Sequence, residues 1–300
     1  MITVNAMIQF REIDSPATPP PSPSDKLLQR ANGLCRIVVD SSKKGNQIVD
    51  VFQRSPLRVI FPRMSVASAQ EAVLINTAGG IAGGDRLECE VTAVANASIA
   101  VTTQTAERVY RALDEPARAF TKLKVSGGAR LAWLPQETII FNWARFHRET
   151  EIEISSRAEL LALEWLVFGR AAHGEQLLGG QLIDQWRVRN EGRLIWAESF
   201  RVGEEVFRHL NRRAVLSDCK AVATLIYCGP ELGRRVNLLR DIAGSLKCYC
   251  AVTSVGGLII VRLAADASSN LKLALVGFLR QLGTTFGPGP FRVPKMWLSC

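Results

Sequence analysis

Histidine is almost absent. His147, His173 and His209 are the whole complement among 300 residues, too far apart in sequence for a local cluster, and no HExxH pair exists to seed a zinc centre. A GxSxG elbow is missing as well, which removes the strand–turn–helix nucleophile of the α/β-hydrolases. Cysteine occurs seven times, at Cys35, Cys89, Cys219, Cys228, Cys248, Cys250 and Cys300, without a CxxC pair or framework spacing. Such an odd set predicts reduced, mostly buried thiols rather than disulfides. Cys248 and Cys250 would point the same way from a strand, as two buried thiols or as a pair able to catch a soft metal. No apolar run reaches the ~18 residues of a membrane helix, and no basic segment leads into an apolar stretch with a small-residue cleavage site. A cytoplasmic chain is therefore expected.

Basic tracts are lacking too. Lys and Arg number 37 against 28 Asp and Glu, a formal net charge of +9, yet they are scattered singly, unlike the stripe or cluster of a nucleic-acid footprint. The arginine fork suits paired recognition of carboxylates, so the excess fits an acidic protein partner, unless it only reflects an arginine-rich coding bias. In Thr77–Arg86 (TAGGIAGGDR), Gly79 and Gly84 have the four-residue gap of a Walker loop, but Asp85 and Arg86 occupy the places of its Lys and Ser/Thr. Phosphate and magnesium would find no cation and no hydroxyl there. The segment is then a turn in which glycine permits positive φ or a close approach by another chain. Asp85 either caps that turn or is displayed to a ligand.

What remains is a 47% apolar chain with ample material for a core. Residues 1–33, with Pro16, Pro19, Pro20, Pro21 and Pro23 among Ser and Asp, read as a disordered extension. From Cys35 to Tyr227 short β-branched or alternating runs recur, among them Arg86–Ala93, Glu149–Ile154, Glu159–Val167 and Leu182–Arg189, punctuated by Asn96, Gly127-Gly128 and Asn190-Glu191-Gly192. The fold class is therefore mainly β, with many short strands in packed, solenoid-like sheets over 34–228. No repeat of fixed period is visible, which argues against a propeller. Residues 229–300 form a small C-terminal subdomain. Leu232, Val236, Leu239, Ala243 and Leu246 predict one helix, and Leu271, Leu275, Phe278 and Leu282 predict another that opens at Ser268-Ser269 and stops at Gly283. Between them Gly256-Gly257 turns a hairpin.

Glu164 is the anomaly of the β body. It is the single charge in Leu160–Phe168 (LLALEWLVF), a run expected to be buried on both faces, where an unpaired ion costs several kcal/mol. Either it is neutralised by an ion pair, for which Arg170 is near in sequence, or it lines a wet passage together with Glu175, Glu137 and Asp85. Carboxylates spread along a channel would hold a hydrated divalent cation weakly enough to release it.

Five ordered segments, QRSPLRV (53–59), LINTAGGIAGGD (74–85), TTQTAERVYR (102–111), WLPQETI (133–139) and LVFGRAAHGE (166–175), with a closing VPKMW (293–297), resemble the UreD (UreH) family of urease accessory proteins. Thr77-Ala78 replaces a Pro-Pro seen in many members, and Asn142-Trp143 replaces an Asp or Pro followed by Gly. The resemblance implies a mostly β, non-catalytic scaffold for nickel delivery that binds apo-urease and UreF, and through UreF the GTPase UreG. It implies no tightly bound cofactor, a transient nickel ion, and an internal tunnel. Carried onto this chain, Asp85, Glu164 and Glu175 become candidates for lining that tunnel and touching nickel. Glu107, Tyr110, Arg111, Glu137 and Arg170 are tunnel or partner-surface candidates. The rivals are a β-rich interaction module with a dry interior and a metal-dependent hydrolase on a β scaffold.

Overall fold

Period-two alternation governs many of the strands, which hide every second side chain, whereas Glu159–Phe168 is buried on both faces and Gln47–Arg54 on neither. The computed structural model describes residues 29–42, 45–62, 70–155, 157–170, 173–207 and 209–298. Most of the Pro-rich stretch, and Cys300, lie outside the described residues. The strands run β1 (Asn32–Asp40), β2 (Gln47–Arg54), β3 (Leu57–Ile60), β4 (Gln70–Asn76), β5 (Arg86–Val94), β6 (Ser98–Thr103), β7 (Glu107–Val109), β8 (Ala117–Val125) and β9 (Arg130–Trp133). They continue with β10 (Thr138–Ile140), β11 (Arg145–Ile154), β12 (Glu159–Phe168), β13 (Gln181–Asn190) and β14 (Arg193–Val202). After the short helix α1 (Glu204–Phe207) come β15 (Ala221–Cys228), helix α2 (Leu232–Gly244), the hairpin β16 (Tyr249–Val255) and β17 (Leu258–Ala265), and helix α3 (Ser268–Phe286).

The chain winds between two sheets. One has the order β14-β13-β11-β8-β5-β1-β2, the other β16-β17-β15-β12-β9-β6-β4-β3, with β10 bridging β12 to β7. Because successive passes return to the same sheet one position further on, β5, β8, β11 and β13 pair in parallel on one side and β4, β6, β9 and β12 on the other. This is the expected solenoid-like winding. Its turns stack: Asn96 N donates to Gly127 O, Ser155 N to Val125 O and Glu191 N to Ile154 O. Ala95, Asn96, Gly127, Gly128, Arg157, Glu191 and Gly192 all take positive φ. Ala-Asn, Gly-Gly, Arg and Glu-Gly thus fill equivalent corners, so a recurrent geometry leaves no recurrent motif.

Two apolar layers result. Between the sheets lie Ile37, Val91, Leu123, Ile152, Leu160, Leu166 and Val188. On the far side of the second sheet, Leu161, Leu163, Trp165, Leu225 and Val261 pack under Leu239, Leu275, Phe278 and Leu282 of α2 and α3. The β16–β17 hairpin, turned by Gly256 and Gly257 at φ 61° and 85°, extends that sheet through β15. Helix α3 does not stop at Gly283 but runs to Phe286, and Gly287 at φ 73° ends it. Gly283 serves packing instead, since a Cβ there would lie 3.1 Å from the Phe291 carbonyl oxygen.

The glycine-rich turn makes its close approach within the chain itself. A Cβ on Gly80 would come 2.8 Å from Arg108 O, and one on Gly83 would meet Ala112 Cβ at 2.6 Å and Glu115 O at 2.7 Å. Trp143 takes the left-handed conformation at φ 62°, and its ring fills the space where a Gly179 side chain would stand.

Candidate functional site

Alternation along β12 decides where Glu164 points. Leu160, Ala162, Leu166 and Phe168 belong to the layer between the sheets, so Glu164, two residues from Ala162 and Leu166, faces the same interior. Across from it, β11 buries Phe146, Arg148, Thr150 and Ile152, and β13 buries Leu182, Asp184, Trp186 and Val188. Arg148 and Asp184 are direct partners in the parallel register of these two strands.

The three side chains form one cluster. Arg148 Nη1 donates to Glu164 Oε2 at 2.7 Å, while Nε and Nη2 donate to Asp184 Oδ1 and Oδ2 at 3.0 and 2.6 Å. Trp133 Nε1 donates to the other Glu164 oxygen at 2.8 Å, and Arg148 Nη1 also reaches Thr138 Oγ1 at 3.2 Å. The carboxylate is paired, but with an arginine of the opposite sheet. Arg170, its neighbour in sequence, instead pairs with Glu175 at 2.9 Å. Burial pushes Glu164 above the ordinary carboxyl range, against the pull of Arg148. Burial would lower Arg148, but Asp184 and Glu164 outweigh it and hold the guanidinium charged.

Two cavities meet at this cluster. The first, about 150 Å³, includes Cys89, Thr121, Trp133, Thr138, Arg148 and Glu164 in its wall, and Gly79, Gln104, Thr105 and Arg108 at its exposed rim. The second, about 490 Å³, is walled by Glu164, Asp184, Trp186 and Phe200 and rimmed by Tyr249, Ala251 and the Glu198–Arg262 ion pair. Glu164 borders both. Thr150, 1% exposed, lies in register between Thr121, which lines the first cavity, and Trp186, which lines the second, and its hydroxyl has no hydrogen-bond partner.

The other sequence candidates are dispersed. Glu107 lines the first cavity and accepts from Asn76 Nδ2 at 2.9 Å. Burial lifts its carboxyl to about 7, only partly offset by Asn76. Tyr110 is exposed and donates to Gly79 O at 3.0 Å. Glu137 has one buried oxygen without a partner, and its carbonyl accepts from Glu107 N. Arg111 is exposed and bridges to Ala144. Asp85 accepts from Ala31 N and Ala82 N, each at 2.8 Å, and closes the glycine turn. Glu175 ties its loop together by accepting from the backbone of Asn142 and Arg170 as well as the Arg170 side chain. The Arg170 hydrogen bond draws Glu175 below its ordinary value. Asp85 and Glu175 border neither of the two cavities at Glu164.

Sequence reasoning missed Arg148, Asp184, Trp133 and Thr150. The signal existed for two of them. In RFHRETEIEI and QLIDQWRV the inward phase set by Phe146, Ile152, Leu182 and Val188 also contains Arg148 and Asp184. The alternating run legible in the sequence, Glu149–Ile154, starts one residue past Arg148, whereas the strand itself starts at Arg145. For metal binding, no group of three His, Cys, Asp or Glu side chains converges among the described residues. Cys248 and Cys250 are half-buried, and burial lifts the Cys250 thiol to about 11, which weakens their case as soft-metal ligands at neutral pH. No helix among the described residues is long and apolar enough to cross a membrane.

A family model described as "UreD urease accessory protein" matches residues 31–298. The chain is 38% identical over 272 residues to urease accessory protein UreD 1 of Brucella melitensis, covering 90% of this chain and 95% of that protein. It is 39% identical over 276 residues to the urease accessory protein UreD of Mesorhizobium japonicum, covering 91% and 96%. To the protein of that name in Chelativorans it is 33% identical over 270 residues, covering 90% and 95%.

Proposed function

The chain belongs to the UreD family of urease accessory proteins, and on that premise we propose that it passes nickel to apo-urease through its own interior, in a cytoplasmic complex with UreF and the GTPase UreG. It is a urease maturation factor rather than an enzyme. The metal-dependent hydrolase expected as a rival falls with that assignment. GTP hydrolysis would belong to the partner, in keeping with a glycine turn that carries Asp85 and Arg86 where a phosphate loop needs Lys and Ser/Thr.

One observation carries the proposal: Glu164 borders two cavities whose rims lie on different parts of the surface. A dication crossing protein needs oxygen ligands and water in place of its hydration shell, and too firm a grip would stop it. Glu164, Asp184 and the hydroxyl of Thr121 supply a sparse set of that kind. Glu107 stands at the entry of the first cavity and Glu198 at that of the second. Asp85 and Glu175 border neither cavity and hold loops outside the path instead.

The test is Glu164→Leu in cells co-expressing urease. Reduced nickel per urease with the maturation complex still assembled supports the corridor. Loss of folding or of complex formation supports instead a purely structural ion pair in a dry interaction module, the reading favoured by the tight Arg148–Glu164 contact. Fully nickel-loaded urease made without this chain would remove the delivery role altogether.

A further inference from the structure

We propose that Arg148 is the plug of the corridor, an internal counter-cation that a divalent ion must displace from Glu164, with Asp184 as its anchor. The proposal rests on the corridor reading and adds a gate and a selectivity to it.

The hydrogen bonds define which side of the plug moves. Asp184 holds the guanidinium by a two-point fork, Nε to Oδ1 and Nη2 to Oδ2, whereas Glu164 receives Nη1 alone. A fork is the stronger and more directional attachment. Release therefore occurs at Glu164, whose position is kept by Trp133 Nε1 on its other oxygen, while Arg148 stays tethered to β13. The cluster stands where the two cavities abut: Arg148 borders the first, Asp184 the second and Glu164 both. Two residues from Arg148 on the same face of β11, the buried Thr150 hydroxyl has no hydrogen-bond partner; Thr150 lines neither cavity but is in register with Thr121 of the first cavity's wall and Trp186 of the second's. Water would satisfy that hydroxyl.

Charge explains what such a plug selects. Two carboxylates and one guanidinium leave a net charge of −1, too little to retain a dication. With Nη1 withdrawn, the ion takes the freed Glu164 carboxylate while Asp184 keeps the guanidinium. A monovalent ion brings no more charge than the guanidinium it must replace, so only a divalent one gains by the exchange. The plug thus keeps the passage closed to sodium and potassium at rest and lets the cargo open it.

The experiment measures nickel ion binding to the purified full chain by equilibrium dialysis, with nickel chloride alone as the probe. Arg148→Gln should bind one nickel ion about tenfold or more tightly than the unsubstituted protein, and Arg148→Gln combined with Glu164→Gln should return to the starting affinity. Arg148→Lys keeps the charge but cannot grip both carboxylates, and should tighten binding by a smaller factor; it carries the test if Arg148→Gln does not fold. Unchanged nickel affinity in a folded Arg148 variant overturns the plug. The corridor fails separately, if Glu164→Leu leaves the nickel content of co-expressed urease unchanged, and that outcome does not depend on the dialysis result.

Discussion

Arg148 and Glu164 belong to different sheets, yet Nη1 of one lies 2.7 Å from Oε2 of the other, with both side chains at most 5% exposed. One ion pair therefore ties the two layers of the winding at the point where their cavities meet. Such a pair is costly to bury and more costly to break, because the survivor is left charged without a partner. Arg148→Met should accordingly destabilise the chain by about 3–5 kcal/mol. Adding Glu164→Leu and Asp184→Leu should recover most of that loss. Urea unfolding of the single and triple variants measures both, and a single variant as stable as the parent would contradict the pairing.

Trp133 is the second support of Glu164. Replacing it with Phe keeps an aromatic ring in the wall but deletes the Nε1 donor 2.8 Å from Oε1. A buried carboxylate oxygen left bare costs about 1–3 kcal/mol. Thermal or denaturant melts of Trp133→Phe should register that loss, and nickel delivery should fall as the carboxylate loses its orientation.

Glu107 predicts a pH dependence. Its folded value near 7, against 4.5 for the free side chain, means that folding binds its proton more tightly than the unfolded chain does. Its favourable contribution is whole below about pH 4.5 and is lost as the pH rises through about 7. Glu107→Gln, which keeps a neutral group in the wall, should raise the melting temperature at about pH 8. The gain should reach at most about 3 kcal/mol and should vanish near pH 4.5. A melting temperature shifted equally at both pH values would rule out this titration.

Gly83 tests the glycine turn as a packing device. Added to Gly83, a Cβ would stand 2.6 Å from Ala112 Cβ, so Gly83→Ala forces the segments apart and should cost about 1–3 kcal/mol. Gly79, with nothing near its Cβ position but a φ of 74°, should lose only about 1 kcal/mol on the same change, from backbone strain. Equal losses at the two positions would mean that close approach is not what Gly83 provides.

Asp85→Ala removes the acceptor of two backbone amides and should lower stability by about 1–2 kcal/mol, as loss of a cap does. Nickel per urease, normalised to folded protein, should stay constant. A fall in nickel without a fall in stability would return Asp85 to the path of the ion.

Composition, alternation and turn residues were enough to specify the class of this protein. Short strands, a hairpin at Gly256-Gly257, two late helices and a charge misplaced at Glu164 are all local in origin, because side-chain period and turn chemistry act over a few neighbouring residues. The ordered segments from Gln53 to Trp297 carried the family for the same reason, being contiguous. What the sequence could not decide is which charge answers which. Arg170 is six residues from Glu164 and Arg148 sixteen, yet the winding places Arg148 on the facing sheet and turns Arg170 toward Glu175. Asp184 and Trp133 likewise reach the cluster only through the register of parallel strands one pass apart. Pairing inside a two-layer solenoid depends on the rise of each coil and the phase of each strand. Both emerge from the packing of the whole, so the junction between the two cavities exists only in the folded chain.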